Sequence, residues 1–330
     1  MAIPVSDRAN EGAAPTPGLG KRWEFGKDVS SWPLLKVAHA AQHRAELDSR
    51  IALWIAGRPV STDNSLSADR LKFEMRLRVH TPPPTQEWSL ILGDLLYGLR
   101  SALDACVWEF AHTDGAQPPK PKQLQFPVVR DKTDWERTRR ERLQTVPNEI
   151  AERIEMLQPF NRPPGEVDKD PLICLTELNN LDKHRSSIDV SVDPHGVQQN
   201  FSVSWETEEA TNRNLPPSAT YRFPDFTDGA LVVEVPFLDP VQKLKGGFTM
   251  AMQVGVDTSI GKQPLSLVTN GLLENIQQVL NFIAVGPASP EEIQAMEAAQ
   301  EGGWIDMEMR EDETGKEFHT GPLTNKSPQA

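Results

Sequence analysis

Apolar residues along this chain recur on two periods, and the change from one to the other divides it. From Ser30, "SSWPLLKVAHAAQHRAELDSRIALWIAG" carries them on a helical repeat, with Ser31 as N-cap, Pro33 in the first turn and Gly57 as the stop. Residues 58–70 read as a polar loop. The run "LKFEMRLRVH" then alternates strictly, Leu71, Phe73, Met75, Leu77 and Val79 against Lys72, Glu74, Arg76, Arg78 and His80, which predicts a half-buried antiparallel strand. The longest helical signal covers 87–112, where Trp88, Leu92, Leu95, Leu96, Leu99, Leu103, Cys106, Val107 and Phe110 form one wide stripe. Tyr97 and Trp108 fall on its opposite side, which predicts burial on two faces.

Two shorter helices follow, at 147–157 and 170–186. The second is opened by Asp170 as N-cap and Pro171 at the first helical position. From Ser187 the period becomes two, and "SIDVSV", "FSVSWE", "ALVVEVP" and "GFTMAMQVGVD" read as strands. A last helix over 265–284 places Leu265, Val268, Leu272, Ile276, Val279, Leu280 and Ile283 on one side, a face that needs the early helices to cover it. The expected class is therefore α+β, a helical bundle packed against an antiparallel β-sheet. Its expected organisation is a disordered lead over 1–28, then a single domain over 29–286, then an acidic, largely disordered tail over 287–330. Within the domain lie a helical core (29–188), a β-rich insertion (189–260) and the closing helix.

Charge sharpens that division. Residues 290–330 hold ten acidic and three basic side chains, −7 of the formal −13, leaving −6 for the preceding 289 residues. The folded part is thus mildly acidic, and a local basic groove on it stays compatible with the totals. Residues 1–22 lack the apolar stretch of a secretion signal, and no run approaches the roughly 20 apolar residues of a membrane span. Cys106 and Cys174 both fall in apolar helical runs, as reduced, buried thiols do. These features lead to the expectation of a cytoplasmic protein away from membranes.

Candidate chemistry concentrates in "LNNLDKHRSSI", 178–188, where a leucine-spaced helix ends in Asn179, Asn180, Asp182, Lys183, His184 and Arg185. At about 100° per residue, Asp182 and Arg185 fall in the same arc as Leu175, Leu178 and Leu181, while His184 and Lys183 point away. On the long helix Arg100 lies at the edge of the stripe, with Asp104 one turn on. Packing of these two helices would bring Arg100, Asp104, Asp182 and Arg185 into a charge-alternating network, with Asn179 beside it. Two readings stand at this point. In one, the network is structural, since buried charges must be paired. In the other it is a phosphate-directed site, where Arg185 offers its bidentate fork and His184 handles protons.

The segments "ILGDLLYGLRSALDACVWEFA", "FPV", "LQPF" and "LTELNNLDKHR" occur here in that order. In this they resemble a widespread family of uncharacterised bacterial proteins with a Gly-Asp…LRSALD helix and an LN-x-x-DKHR helix. More loosely, the bundle is similar to HEPN domains, helical modules of prokaryotic defence and toxin systems. Many of those are metal-independent endoribonucleases that act as dimers and pair an arginine with a histidine a few residues later. In this chain Arg76 to His80 is one residue short of that spacing, and His184-Arg185 is adjacent and reversed. The resemblance implies RNA or nucleotide as partner, a homodimer, catalysis by His184 and Arg185, support from Arg100, Asp104, Asn179 and Asp182, and no cofactor or metal. The competing reading remains a non-catalytic interaction protein with a buried ion network.

Other features add less. His39 and His43 share a face one turn apart, the spacing of a metal pair, but "HAAQH" lacks the internal Glu of a zinc protease, and a solvated helical face is its plain reading. "RDKTDWERTRRERLQ", 130–144, holds six basic and four acidic residues, enough to touch phosphates or to make an exposed helix.

Overall fold

A computed structural model describes residues 21–184, 188–214, 219–222, 226–288 and 294, with backbone alone at 183, 184, 199, 201 and 247–249. The chain divides into Met1–Gly286 and Pro287–Ala330. Expectations for the lead before residue 21 and for the acidic tail lie outside the described residues. No helix among the described residues is long and apolar enough to cross a membrane.

Helix α1 (Trp32–Ala56) runs antiparallel to α2 (Thr85–Ala111), with Trp54 edge-on to Trp88 and Ala40 beside Gly98. A Cβ at Gly98 would stand 3.1 Å from that of Ala40, so the small residue sets how closely the helices cross. Ser31 begins α1 but does not cap it; Ser30 Oγ instead accepts from the Trp32 amide at 3.1 Å. The stripe of α2 is buried as expected, but Tyr97 and Trp108 are about half exposed, at 53% and 46%. The helix buries one broad face rather than two.

Three further helices build on this pair: α3 (Trp135–Arg142), α4 (Asn148–Met156) and α5 (Pro171–His184). Asp170 opens α5 as expected, its Oδ1 accepting from the Leu172 amide at 2.8 Å. Residues 21–28, expected within the disordered lead, are folded in. Trp23 meets Phe110 edge-on, its indole N–H donates to Glu149 and its amide to the Ala284 carbonyl, and Val29 is buried too.

The strands form two sheets, both antiparallel. One is ordered β1 (Val60–Leu66), β2 (Lys72–Val79), β5 (Leu231–Pro236), β4 (Thr220–Tyr221). Strand β1 was expected as loop because it is polar; it is an exposed edge strand held by its ladder to β2 rather than by burial. The other sheet is β3 (Val190–Ser204), β6 (Lys243–Thr258), β7 (Gly261–Pro264). Two strands expected separately are thus one, β3, with a register shift between His195 and Val197 where Gly196 takes a positive φ. The extra residue changes the parity of the strand, so odd-numbered Val197 and Val203, opposite Met250 and Leu244, share the face that even-numbered Val190 and Val192 hold opposite Val256 and Val254. At one end of that face Val190 and Val192 join the main helical core, while farther along the strand Val197 and Val203 pack on a second core of Phe73, Met75, Leu77, Val233 and Val235. Helix α6 (Glu208–Asn214) sits on that second core through Ala210.

The closing helix, α7 (Leu265–Val285), lays Leu272, Ile276, Val279, Leu280 and Ile283 on the main core. Its last carbonyls are met by a buried arginine from α4. Arg153 Nη1 donates to the Ile283 and Ala284 carbonyls at 2.8 Å each, and Nη2 to the Lys21 carbonyl at 3.0 Å.

Candidate functional site

The two signature helices do pack, but the charges on them separate. Arg100, buried in α2, donates to Asp104 Oδ1 at 2.9 Å and to the Phe126 carbonyl at 2.6 Å. The Phe126 amide donates to the same Asp104 oxygen at 2.9 Å. Val129, three residues on, is held likewise, its amide donating to Gln158 Oε1 at 3.0 Å. Two side chains of α2 and one after α4 thus replace a strand partner for the "FPV" segment, so that part of the motif is architectural. Burial lowers the Arg100 pKa, and the Asp104 charge opposes the shift.

Asp182 faces α2 as its position between Leu178 and Leu175 requires, but two turns away from Arg100. A Cβ at Gly93 would stand 2.7 Å from Asp182 Oδ1, so the glycine makes room for the carboxylate. Seven residues of helix separate Gly93 from Arg100, about 10 Å of rise. The single four-residue network is therefore not formed. Asp182 is exposed, and Leu181, expected in the apolar arc, is 37% exposed because it lies about 180° around the helix from Leu172. Asn179 is buried in α5. His184 ends α5 with its side chain outside the described ones, and Arg185 lies outside the described residues altogether.

Around α5 the surface is concave on two sides. One cavity, about 840 Å³, lies toward the β6–β7 turn and is lined by Glu177, Asn180, Leu181, Asp257 and Thr258. Cys174 also lines it, but burial pushes its thiol up to about 11, so at neutral pH it holds its proton and is a poor nucleophile. The other cavity, about 350 Å³, lies between α3 and α5 and takes in Arg130, Arg137, Thr138, Arg142, Thr176 and Glu177. Glu177 borders both.

The charges in the smaller cavity are not equivalent. Arg130 is held by Asp168 at 2.6 Å and by Glu177. Arg137 pairs with Asp134 at 2.8 Å, and the Asp131 carboxylate accepts from the amide and hydroxyl of Thr133 at 2.9 Å. Arg142 is half-buried, and among the described residues no carboxylate or carbonyl meets it. Its charge also repels that of the buried Arg100 and helps to lower the pKa there. Among the described residues one guanidinium without a partner therefore stands in a cleft that the Thr138 hydroxyl also lines, an arrangement suited to a phosphate oxygen. The sequence had marked segment 130–144 as basic without separating Arg142 from its neighbours.

A third cavity, about 590 Å³, is lined by Asp189, Asp193, Asp228 and Lys262, and its lysine is paired with Asp193 at 2.9 Å. Its excess of carboxylates disfavours anions. Among the described residues no group of three or more His, Cys, Asp or Glu side chains is placed to hold a metal ion.

Compared with protein-family models, curated proteins and solved structures, the chain matches none.

Proposed function

We propose that the protein engages phosphate-bearing ligands, a nucleotide or RNA, through the cleft between α3 and α5 on a HEPN-like helical bundle. The observation that carries this reading is Arg142, half-buried without a counter-charge among the described residues in a cavity of about 350 Å³. A half-buried guanidinium without a counter-charge gains from an anion that completes it. Thr138 adds a hydroxyl donor that fits a phosphate oxygen, while Thr176 donates its own proton to the Leu172 carbonyl and Arg130 and Arg137 stay with their carboxylates.

The cleft opens onto Ile173, Thr176 and Glu177 of α5, and the neighbouring cavity continues along the same helix to Asn180 and Leu181. A nucleic-acid strand seated by Arg142 would run along α5 toward His184 and Arg185. In the catalytic form of the proposal, Arg185 holds the scissile phosphate and His184 transfers protons without a metal. The homodimer and the defence or toxin-like setting belong to the same reading. A specific observation favours a second one for part of the motif. Arg100 and Asp104 are occupied by the Phe126 backbone, so they support the fold and not the ligand.

The test is fluorescence anisotropy of a labelled single-stranded RNA, with AMP as competitor, on wild-type protein and Arg142→Gln. Binding weakened at least tenfold at unchanged melting temperature is the expected result; equal binding by the variant sinks the cleft. Cleavage of the RNA in EDTA, present in wild type and absent in folded His184→Ala and Arg185→Ala, separates the catalytic form from binding alone.

A further inference from the structure

Two histidines of α1 stand in a relation that the arginine cleft does not use. His39 is exposed and His43 half-buried, and their Nε2 atoms are 3.3 Å apart. The rings are tilted by 65° with centroids 4.6 Å apart, so they meet edge-on and are not stacked. Two nitrogens bound to one zinc-sized ion, each at about 2.0–2.1 Å with a tetrahedral angle between them, stand about 3.3 Å apart. The spacing found is that of a chelate.

The outer contact fits the same purpose. His39 Nδ1 lies 3.2 Å from Gln42 Oε1, and an amide oxygen only accepts, so Nδ1 carries the proton. His39 Nε2 then presents its lone pair, and the contact between the rings is donated by His43. An oriented imidazole with its far nitrogen hydrogen-bonded is the usual arrangement of a metal-bound histidine. The next turn supplies no further ligand, because Glu46 is engaged by Arg50 at 3.3 Å.

We propose that His39 and His43 chelate a divalent transition-metal ion of the borderline class, with water in the remaining positions. Imidazole pairs select copper, nickel, cobalt or zinc over magnesium and calcium, which demand oxygen ligands. On binding, His43 exchanges its Nε2–H tautomer for the Nδ1–H tautomer, and a modest rotation of both rings aims the two lone pairs at one point. The helix holds both ligands on one face beforehand, so little conformational freedom is lost on capture.

Isothermal titration of the full chain with Ni²⁺, and with Mg²⁺ as control, tests this. Wild type binds Ni²⁺ and not Mg²⁺, and His39→Ala and His43→Ala each weaken the Ni²⁺ isotherm by at least tenfold. Gln42→Ala weakens it by about tenfold, the lower end for an outer partner because this one is exposed. Circular dichroism monitors the fold. Should His43→Ala melt early, His39→Ala decides alone, since His39 is exposed and contributes nothing to the core. A Ni²⁺ isotherm unchanged in His39→Ala, or no Ni²⁺ binding by wild type, overturns the site.

Discussion

Arg100 and Asp104, one helical turn apart on α2, together satisfy both backbone polar groups of Phe126. Removing either leaves a buried polar group without its partner. Arg100→Ala should cost about 1–3 kcal/mol of stability, because the Phe126 carbonyl loses its donor while the partly exposed Asp104 keeps access to water. Asp104→Asn keeps an acceptor for the amide and should cost only about 1 kcal/mol. Urea denaturation of the two variants distinguishes them; equal, small losses would show that the segment is held by other means.

Arg153 closes α7 from another helix, donating to three carbonyls while burial lowers its pKa against the pull of Glu149. Arg153→Met removes those donors at similar volume and should destabilise by roughly 3 kcal/mol. Arg153→Lys should recover only part, since an ammonium lacks the fork that spans the carbonyls. Gly286, with φ +84, lies against the same guanidinium, so Gly286→Ala should destabilise too, detectable as a lowered melting temperature.

Cys174 adds to the alkaline sensitivity that the buried thiols give the protein. Its thiol is raised to about 11 in the folded state, above the ordinary value near 8.5–9 of an unfolded chain. Between those values the unfolded chain has released the proton and the folded one has kept it, so stability is complete below about pH 8.5 and falls as pH rises toward 11. Cys174→Ser should lessen that fall but not abolish it, because burial raises the Cys106 thiol in the same direction. Iodoacetamide should label native protein slowly at pH 8, which mass spectrometry of the labelled peptide checks.

If Arg142 is a phosphate contact, RNA affinity should fall with salt. Each contact to a single strand contributes about 0.7 to the slope of log K against log salt, so Arg142→Gln should lower the slope by that amount. A slope unchanged by the substitution, measured by anisotropy over a salt series, would place the contact elsewhere.

Gly93 and Asp182 should couple. Gly93→Ala gains up to about 1 kcal/mol of helix propensity but must displace the Asp182 carboxylate. The substitution should therefore be more favourable in an Asp182→Ala background, by about 0.5–1 kcal/mol in a double-mutant cycle.

The local pattern of this sequence determined its elements. The alternation at Phe73, Met75 and Leu77, the stripe of α2 and the Asp170-Pro171 start of α5 each follow from chain stereochemistry and the need to bury one face, and each is where it was expected. Only the tertiary structure decided what those elements meet. Strand β1 is polar and unburied, so its pattern is silent and its ladder to β2 alone makes it a strand. The bulge at Gly196 keeps Val197 and Val203 on the face of Val190 and Val192, so one long strand serves two cores, a consequence of register that composition does not carry. At the candidate site, spacing along α2 and α5 placed Arg100, Asp104 and Asp182 on facing sides, but not at the same height. A backbone segment from elsewhere took the first two, and a glycine received the third. Arg142 stood out only once its neighbours had paired among themselves, because a free charge is defined by the partners that folding brings to all the others.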